Sequence, residues 1–174
     1  MTTSRDLGSK LWYLVYTKPK GEQLAESNLI RQGYTVYLPM IRNRRRSRGR
    51  FKAFIEPMFP RYLFIQLDQN TDNWAPVRST FGVSGIVYFG MKPALVPGEI
   101  VELLTSHEDE NRIFQIPDQE YKKGDKVMIV EGPMAGLKGA FVANNNIDRV
   151  AILLNYLGQH TEVNVSVHDI ERTL

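Results

Sequence analysis

The stretch Tyr62-Leu63-Phe64-Ile65-Gln66-Leu67 constrains the fold more than any other. In an extended chain successive side chains alternate, so Tyr62, Phe64 and Gln66 share one face and Leu63, Ile65 and Leu67 the other. Its neighbours in kind are residues 11–16, rich in aromatic and β-branched side chains, then 34–38, 51–55 and 85–89, each of which reads as a strand. Helical signals lie between them. Leu24, Ala25, Asn28 and Leu29 follow Pro19 at helical spacing and Gly33 stops the run, 71–77 reads as a short helix, and 97–104 carries Val101 and Leu104 at i, i+3. Strands and helices mixed in this order predict an α+β fold built on an open sheet.

The 174 residues suffice for one domain of about 100 residues plus a small module. An apolar fraction of 43% is enough for a packed core. There is no cysteine, which excludes disulfides, thiolate catalysis and cysteine-ligated zinc. No apolar run approaches the roughly 20 residues that span a bilayer, and residues 1–10 contain no apolar signal-peptide core, so the cytoplasm is the expected location and no membrane partner is expected.

The charge is unevenly placed. Arg42, Arg44, Arg45, Arg46, Arg48, Arg50 and Lys52 fall within eleven residues that contain no acid. These are seven of the chain's 22 basic residues, leaving 15 against its 19 acidic ones. One concentrated basic segment on an otherwise slightly acidic body is the footprint of a phosphate-backbone contact. Flanking strands at 34–38 and 51–55 put these arginines on a protruding hairpin. The bland alternative is a solvated loop with no ligand.

Beyond residue 104 the character changes. Residues 105–120 hold Glu108, Asp109, Glu110, Asp118 and Glu120 against Arg112 alone and read as an acidic linker between a domain at 11–104 and a module at 121–174. In that module Val127 and Ile129 alternate, as do Val163, Val165 and Val167, with glycine breakers between, which predicts a small β-barrel. Residues 150–157, Val-Ala-Ile-Leu-Leu-Asn-Tyr-Leu, fit a buried strand or an apolar helix equally well.

Two blocks carry a family resemblance. Residues 124–139, Gly-Asp-Lys-Val-Met-Ile-Val-Glu-Gly-Pro-Met-Ala-Gly-Leu-Lys-Gly, resemble the KOW motif. Trp12-Tyr13, Glu56-Pro57-Met58-Phe59-Pro60-Arg61-Tyr62-Leu63-Phe64, Phe81-Gly82-Val83 and Val87-Tyr88-Phe89-Gly90 resemble the N-terminal domain of NusG-family transcription elongation factors. With Pro93-Ala94-Leu95-Val96-Pro97 after them, the blocks are most similar to the RfaH-like specialised paralogues, and the resemblance runs from about residue 11 to 174. It implies an elongation and antitermination factor that binds RNA polymerase, contacts non-template or upstream DNA and suppresses pausing. The implied polymerase-binding pocket comprises Tyr16, Phe59, Tyr62, Phe64, Phe89, Val101 and Leu104. Aromatics concentrate binding energy at interfaces, although they also fill cores. Asn73-Trp74-Ala75 departs from the small polar motif of RfaH-like proteins at that place.

For DNA, Lys18 and Thr80 match the resembled surface, while Leu24, Asn28 and Phe81 stand where RfaH carries basic or histidine side chains. Phe81 is suited to stack on an unpaired base, and Lys20, Arg31 and Arg78 supply charge beside Arg44, Arg45, Arg46, Arg48 and Arg50 of the basic run. RfaH also covers its polymerase site with a C-terminal domain folded as an α-helical hairpin, in an autoinhibited closed state held by a glutamate–arginine pair. The matching positions are Glu56 and Arg149. Against that state, glycine costs a helix about 1 kcal/mol and proline about 3, and Gly132-Pro133, Gly136 and Gly139 favour the barrel. The resemblance adds a small-subunit ribosomal protein as partner of the opened barrel, and a monomer is expected.

An enzyme is the first rival. His107, His160 and His168 are scattered, and no phosphate-cradling glycine loop or nucleophile elbow is present, so neither catalysis nor a cofactor nor a metal is expected. The second rival is a ribosome- or RNA-binding KOW protein without polymerase activity. The charge-balanced module disfavours it, because rRNA binders need a strongly basic face.

Overall fold

The computed structural model describes residues 10–115, 127–129, 146–160 and 170–172, with the backbone alone for 127–129, 146, 159–160 and 170–172. Strand β1 (Leu11–Thr17) lies at the centre of a five-stranded sheet. On one side it pairs antiparallel with β5 (Tyr62–Leu67), from Leu11 opposite Leu67 to Tyr16 opposite Tyr62, and β5 pairs in turn with β2 (Thr35–Tyr37). The other edge of β1 is shared end to end by β6 (Val83–Ile86) and β9 (Leu95–Val96).

The alternation in β5 divides the core as expected. Leu63, Ile65 and Leu67 join Tyr13, Val15, Ala25, Leu29 and Val77 in one buried cluster. Helix α1 (Glu22–Arg31) covers that face with Ala25 and Leu29, one turn apart, and ends before Gly33, whose φ of +93° suits a residue without a side chain. On the opposite face Leu14 and Phe64 join Phe59, Ile100, Val101 and Leu104. There α3 (Gly98–Ser106) supplies the cover.

A second sheet holds the basic run. Strands β3 (Met40–Ser47) and β4 (Arg50–Pro57) pair in unbroken antiparallel register from Met40 opposite Pro57 to Ser47 opposite Arg50. The two residues between them, Arg48 and Gly49, have φ of +49° and +77°. Two positive φ values match a tight turn to the right-handed twist of its strands, and Gly49 takes its share without steric cost.

Three local expectations shift. The short helix is α2 (Ala75–Ser79), starting later than 71–77 because Asp72 and Asn73 bond nearby backbone instead: Asp68 N–H donates to Asp72 Oδ2 and Ala75 N–H to Asn73 Oδ1. The strand expected at 85–89 is two, β6 and β7 (Tyr88–Phe89), with Val87 between them bonding Leu14 and Ala94; β7 turns back onto β8 (Lys92–Pro93). The acidic stretch after α3 folds back: β10 (Ile113–Phe114) runs parallel to β3 and buries both its side chains.

The open choice for 150–157 is a helix. Here α4 (Asn146–His160) has Asp148 in its first turn and buries Arg149, Leu153 and Leu157, spaced four residues apart on one stripe. The helical alternative therefore describes this part of the predicted β-barrel. Periodicity could not choose, but the i, i+4 stripe has an apolar face waiting for it, and tertiary packing decides ambiguous propensity. Strands β11 (Val127–Ile129) and β12 (Ile170–Arg172) pair antiparallel. The rest of the expected KOW barrel, including the 130–145 glycines, lies outside the described residues.

Candidate functional site

The turn at Phe59–Tyr62 is built from the polar side. Arg61 adopts φ +72°, and its N–H donates to Glu22 Oε1 at 2.8 Å, while its Nε donates to Thr17 O at 3.2 Å. The guanidinium also lies over the Tyr16 ring, 4.1 Å from the centroid, a cation–π contact. These contacts fix the backbone so that Phe59 points inward and Tyr62 starts β5. Glu22 is nearly buried and was not foreseen as part of this arrangement.

Of the seven residues expected to form a protein-binding pocket, Phe59, Phe64, Val101 and Leu104 are buried in one cluster, with Tyr62 and Phe89 packed against it. Tyr16, half-buried, reaches it through Tyr62, ring centroids 5.1 Å apart. Burial raises the Tyr62 hydroxyl pKa, and Tyr16 adds to that. The same cluster contains Leu153 and Leu157, both 0% exposed, with Val150, Ile152, Leu154 and Tyr156 around them. Thus α4 lies over the surface in question.

Arg149, 4% exposed, donates from Nε to Met58 O at 3.0 Å. Burial lowers its pKa, and the Glu56 carboxylate opposes that by favouring the charged form. Glu56 also accepts from Asn43 Nδ2 at 2.9 Å and ion-pairs with Arg45. The two residues expected to join the domains therefore act on one another electrostatically, within a wider polar set than the sequence indicated.

The DNA candidates fall into two groups. Lys18, Lys20, Arg78, Thr80 and Phe81 line a concavity of about 570 Å³ with Leu24, and Arg31 lines an adjoining one with Thr80, Phe81 and Asn28. Phe81 is 82% exposed but held firmly. Its carbonyl accepts from Asn28 Nδ2 at 3.2 Å, and Lys18 N–H donates to the next carbonyl, Gly82 O, at 2.8 Å. Gly82 has φ +93°, and a side chain there would meet Ala25 N at 2.6 Å, so only glycine allows this approach. Thr80 is positioned otherwise than a ligand contact would need: its hydroxyl donates to Pro76 O and accepts from Gln32 Nε2, both at 2.8 Å. Arg78 bonds the Tyr88 hydroxyl and lies over that ring. Arg44, Arg45, Arg46, Arg48 and Arg50 all lie exposed on the β3–β4 hairpin.

Trp74 packs edge-on against Tyr13, centroids 4.7 Å apart, and its Nε1 donates to Asp68 O. Among the described residues no group of histidine, cysteine or carboxylate side chains is arranged to hold a metal ion, and no helix is long and apolar enough to cross a membrane.

The family model described as "Transcription termination factor nusG" matches residues 10–105. The transcription termination/antitermination proteins NusG of Staphylococcus aureus strains Mu50 and N315 are each 29% identical to this chain, covering 97% of it and 99% of their own length. A solved structure titled "Domain interaction in Thermotoga maritima NusG" aligns over 71% of this chain and 74% of that one at 23% identity, with a TM-score of 0.37. The chain belongs to the NusG family of transcription termination and antitermination factors.

Proposed function

We propose that this chain is a specialised, RfaH-like NusG paralogue that binds RNA polymerase through the Phe59–Phe64–Leu104 face and suppresses pausing. The observation that carries this reading is α4, which seats Leu153 and Leu157 in the cluster formed by the expected pocket residues. An apolar face that accepts one helix is shaped to accept another, and helix-in-groove docking is a recurring mode of recognition. On this reading α4 covers the face until recruitment, and Glu56 and Arg149 help hold it there. Displacement leaves the face free for a helical element of the polymerase. The chain acts as a monomeric, non-enzymatic factor without cofactor.

DNA contact is part of the same reading. The Lys18–Phe81 concavity offers cations beside an exposed aromatic ring, the combination that holds unpaired bases and their phosphates. With Leu24 and Asn28 in place of cations, its sequence preference differs from that of RfaH. Displacement of the C-terminal module would also free it for a small-subunit ribosomal protein.

Affinity purification of the tagged full chain tests the partner. RNA polymerase is expected to be retained, and Phe59→Ala with Phe64→Ala in a chain that still folds should release it. Recovery of ribosomal subunits without polymerase would overturn the proposal.

A further inference from the structure

Strand β4 ends its sheet, with β3 on one side and no strand on the other among the described residues. A two-residue turn closes on a pair that exchanges both its hydrogen bonds, here Ser47 and Arg50. Such pairs alternate along an antiparallel ladder, so Lys52 and Phe54 also bond β3. The N–H and C=O groups of Phe51, Ala53 and Ile55 therefore turn outward, and no described residue takes them.

The side chains of this edge are unlike on its two faces. Phe51 and Ile55, 73% and 55% exposed, share one face with Ala53, and Arg50, Lys52 and Phe54 share the other. Long edges bearing exposed aromatic and β-branched side chains recruit further strands, and lysine and proline are the usual deterrents.

We propose that two copies of this chain pair through β4, antiparallel about Ala53, as the resting form of the free protein. Ala53 then faces its own copy. Phe51 faces Ile55 of the second copy, Lys52 faces its Phe54, and Arg50 faces its Glu56. Every outward N–H of one strand meets an outward carbonyl of the other. Here Lys52 and Pro57 select the register instead of blocking it. A slip of two residues one way sets Lys52 against its own copy, a destabilising like-charge pair. A slip the other way sets Phe51 opposite Pro57, which has no N–H to give.

Charge permits the pairing because the junction itself is complementary. Arg50 meets a carboxylate, and Lys52 meets an aromatic ring, which attracts cations. The other arginines of the run lie on β3 or in the turn. The two β3 strands stand three strand spacings apart, about 14 Å. That exceeds the Debye length of about 8 Å at physiological ionic strength. An edge pairing is small, at the weak end of specific interfaces, and its two-fold symmetry closes it at two copies. The inference rests on neither the polymerase nor the DNA reading, and the single copy remains the form proposed to act at the polymerase.

Sedimentation equilibrium of the purified full chain tests the pairing. From about 5 to 300 µM, monomers should pass into dimers with no larger species, as a weak closed interface requires. Ala53→Pro removes the central outward N–H and should raise the dissociation constant about tenfold or more. That N–H takes no part in the β3–β4 ladder, and edge strands tolerate proline, so its thermal melt at about 5 µM should stay near the parent's. The chain has no cysteine, so one introduced thiol reports the register. In the proposed pair the two Ala53 Cα atoms are about 5.5 Å apart, within disulfide reach. Ala53→Cys should cross-link on mild oxidation at least about tenfold faster than Arg44→Cys, its neighbour on β3, whose copies lie beyond that reach. Monomers throughout the range would overturn the proposal, and so would larger species. Equal cross-linking by the two cysteine variants, or a dimer unchanged by Ala53→Pro, would overturn the β4 assignment.

Discussion

Replacing Leu153 and Leu157 together by alanine should undock α4 without unfolding the domain beneath it. Each leucine is fully buried, and truncation to alanine removes three carbons. At about 0.8 kcal/mol per buried methylene-sized group that is roughly 2.4 kcal/mol per site, or nearly 5 kcal/mol for both. Alanine is at least as good a helix former as leucine, so the loss falls on docking rather than on the helix itself. A closed arrangement designed to open is favoured by only a few kcal/mol, so about 5 kcal/mol reverses it. Hydrogen exchange provides the assay. Amides of 147–158 should lose protection in the double variant, while those of Tyr13, Leu14 and Val15 at the centre of the sheet keep theirs. Affinity for RNA polymerase should rise by the factor through which the open fraction increases. If the β1 amides lose protection in step with α4, the helix is an integral layer of one cooperative core, and the reasoning fails.

Three other perturbations address separate links. Glu56→Gln removes the carboxylate that favours the charged form of buried Arg149 and should speed exchange in α4 by an amount equivalent to about 1–3 kcal/mol, the range for a buried polar group that loses its partner; Arg45→Gln, on the solvent side of Glu56, should leave it near the parent rate. Gly82→Ala places a side chain against Ala25 N at φ +93° and should lower stability by about 2 kcal/mol or more in urea titrations. Tyr37, raised by burial and then by its hydrogen bond to Glu108, stays protonated in the folded chain well above pH 10 while the unfolded chain ionises. The folded state then holds more protons, so stability is full below pH 10 and declines above it, by up to about 1.4 kcal/mol per pH unit for this group. Tyr37→Phe should be less stable at neutral pH but show a shallower decline between pH 10 and 11.

The parts legible in the sequence were those fixed by local period. The alternation of β5 assigned its two faces correctly because every side chain from Leu63 to Ile65 meets a packed layer. The hairpin was legible as well, since charge on both strands leaves it no core to enter. What the sequence hid depended on partners distant along the chain. Glu22 reads as a surface acid until Arg61, 39 residues on, brings an N–H to it. Thr80 reads as a DNA contact until Gln32 and Pro76 take both functions of its hydroxyl. Residues 150–157 suited either secondary structure, because the choice lies in the face they meet and not in their own propensities.

That face explains why the helix and the partner belong to one argument. A protein that grips its target through an apolar surface exposes that surface whenever it is free, and large exposed apolar patches invite aggregation. Covering the patch with the chain's own helix removes the hazard, and it also reduces apparent affinity by the fraction of molecules that are open. Only an interaction favouring the open form can restore that affinity, and by no more than its own preference for that form. No described residue of α4 lines the Phe81 concavity, so on the proposed reading that site would hold DNA while the chain is closed. On that reading DNA bound there would bring the chain to the polymerase as a tethered ligand, and the resulting local concentration would offset the closed-state penalty without any change in the intrinsic affinity of the Phe59–Phe64 face.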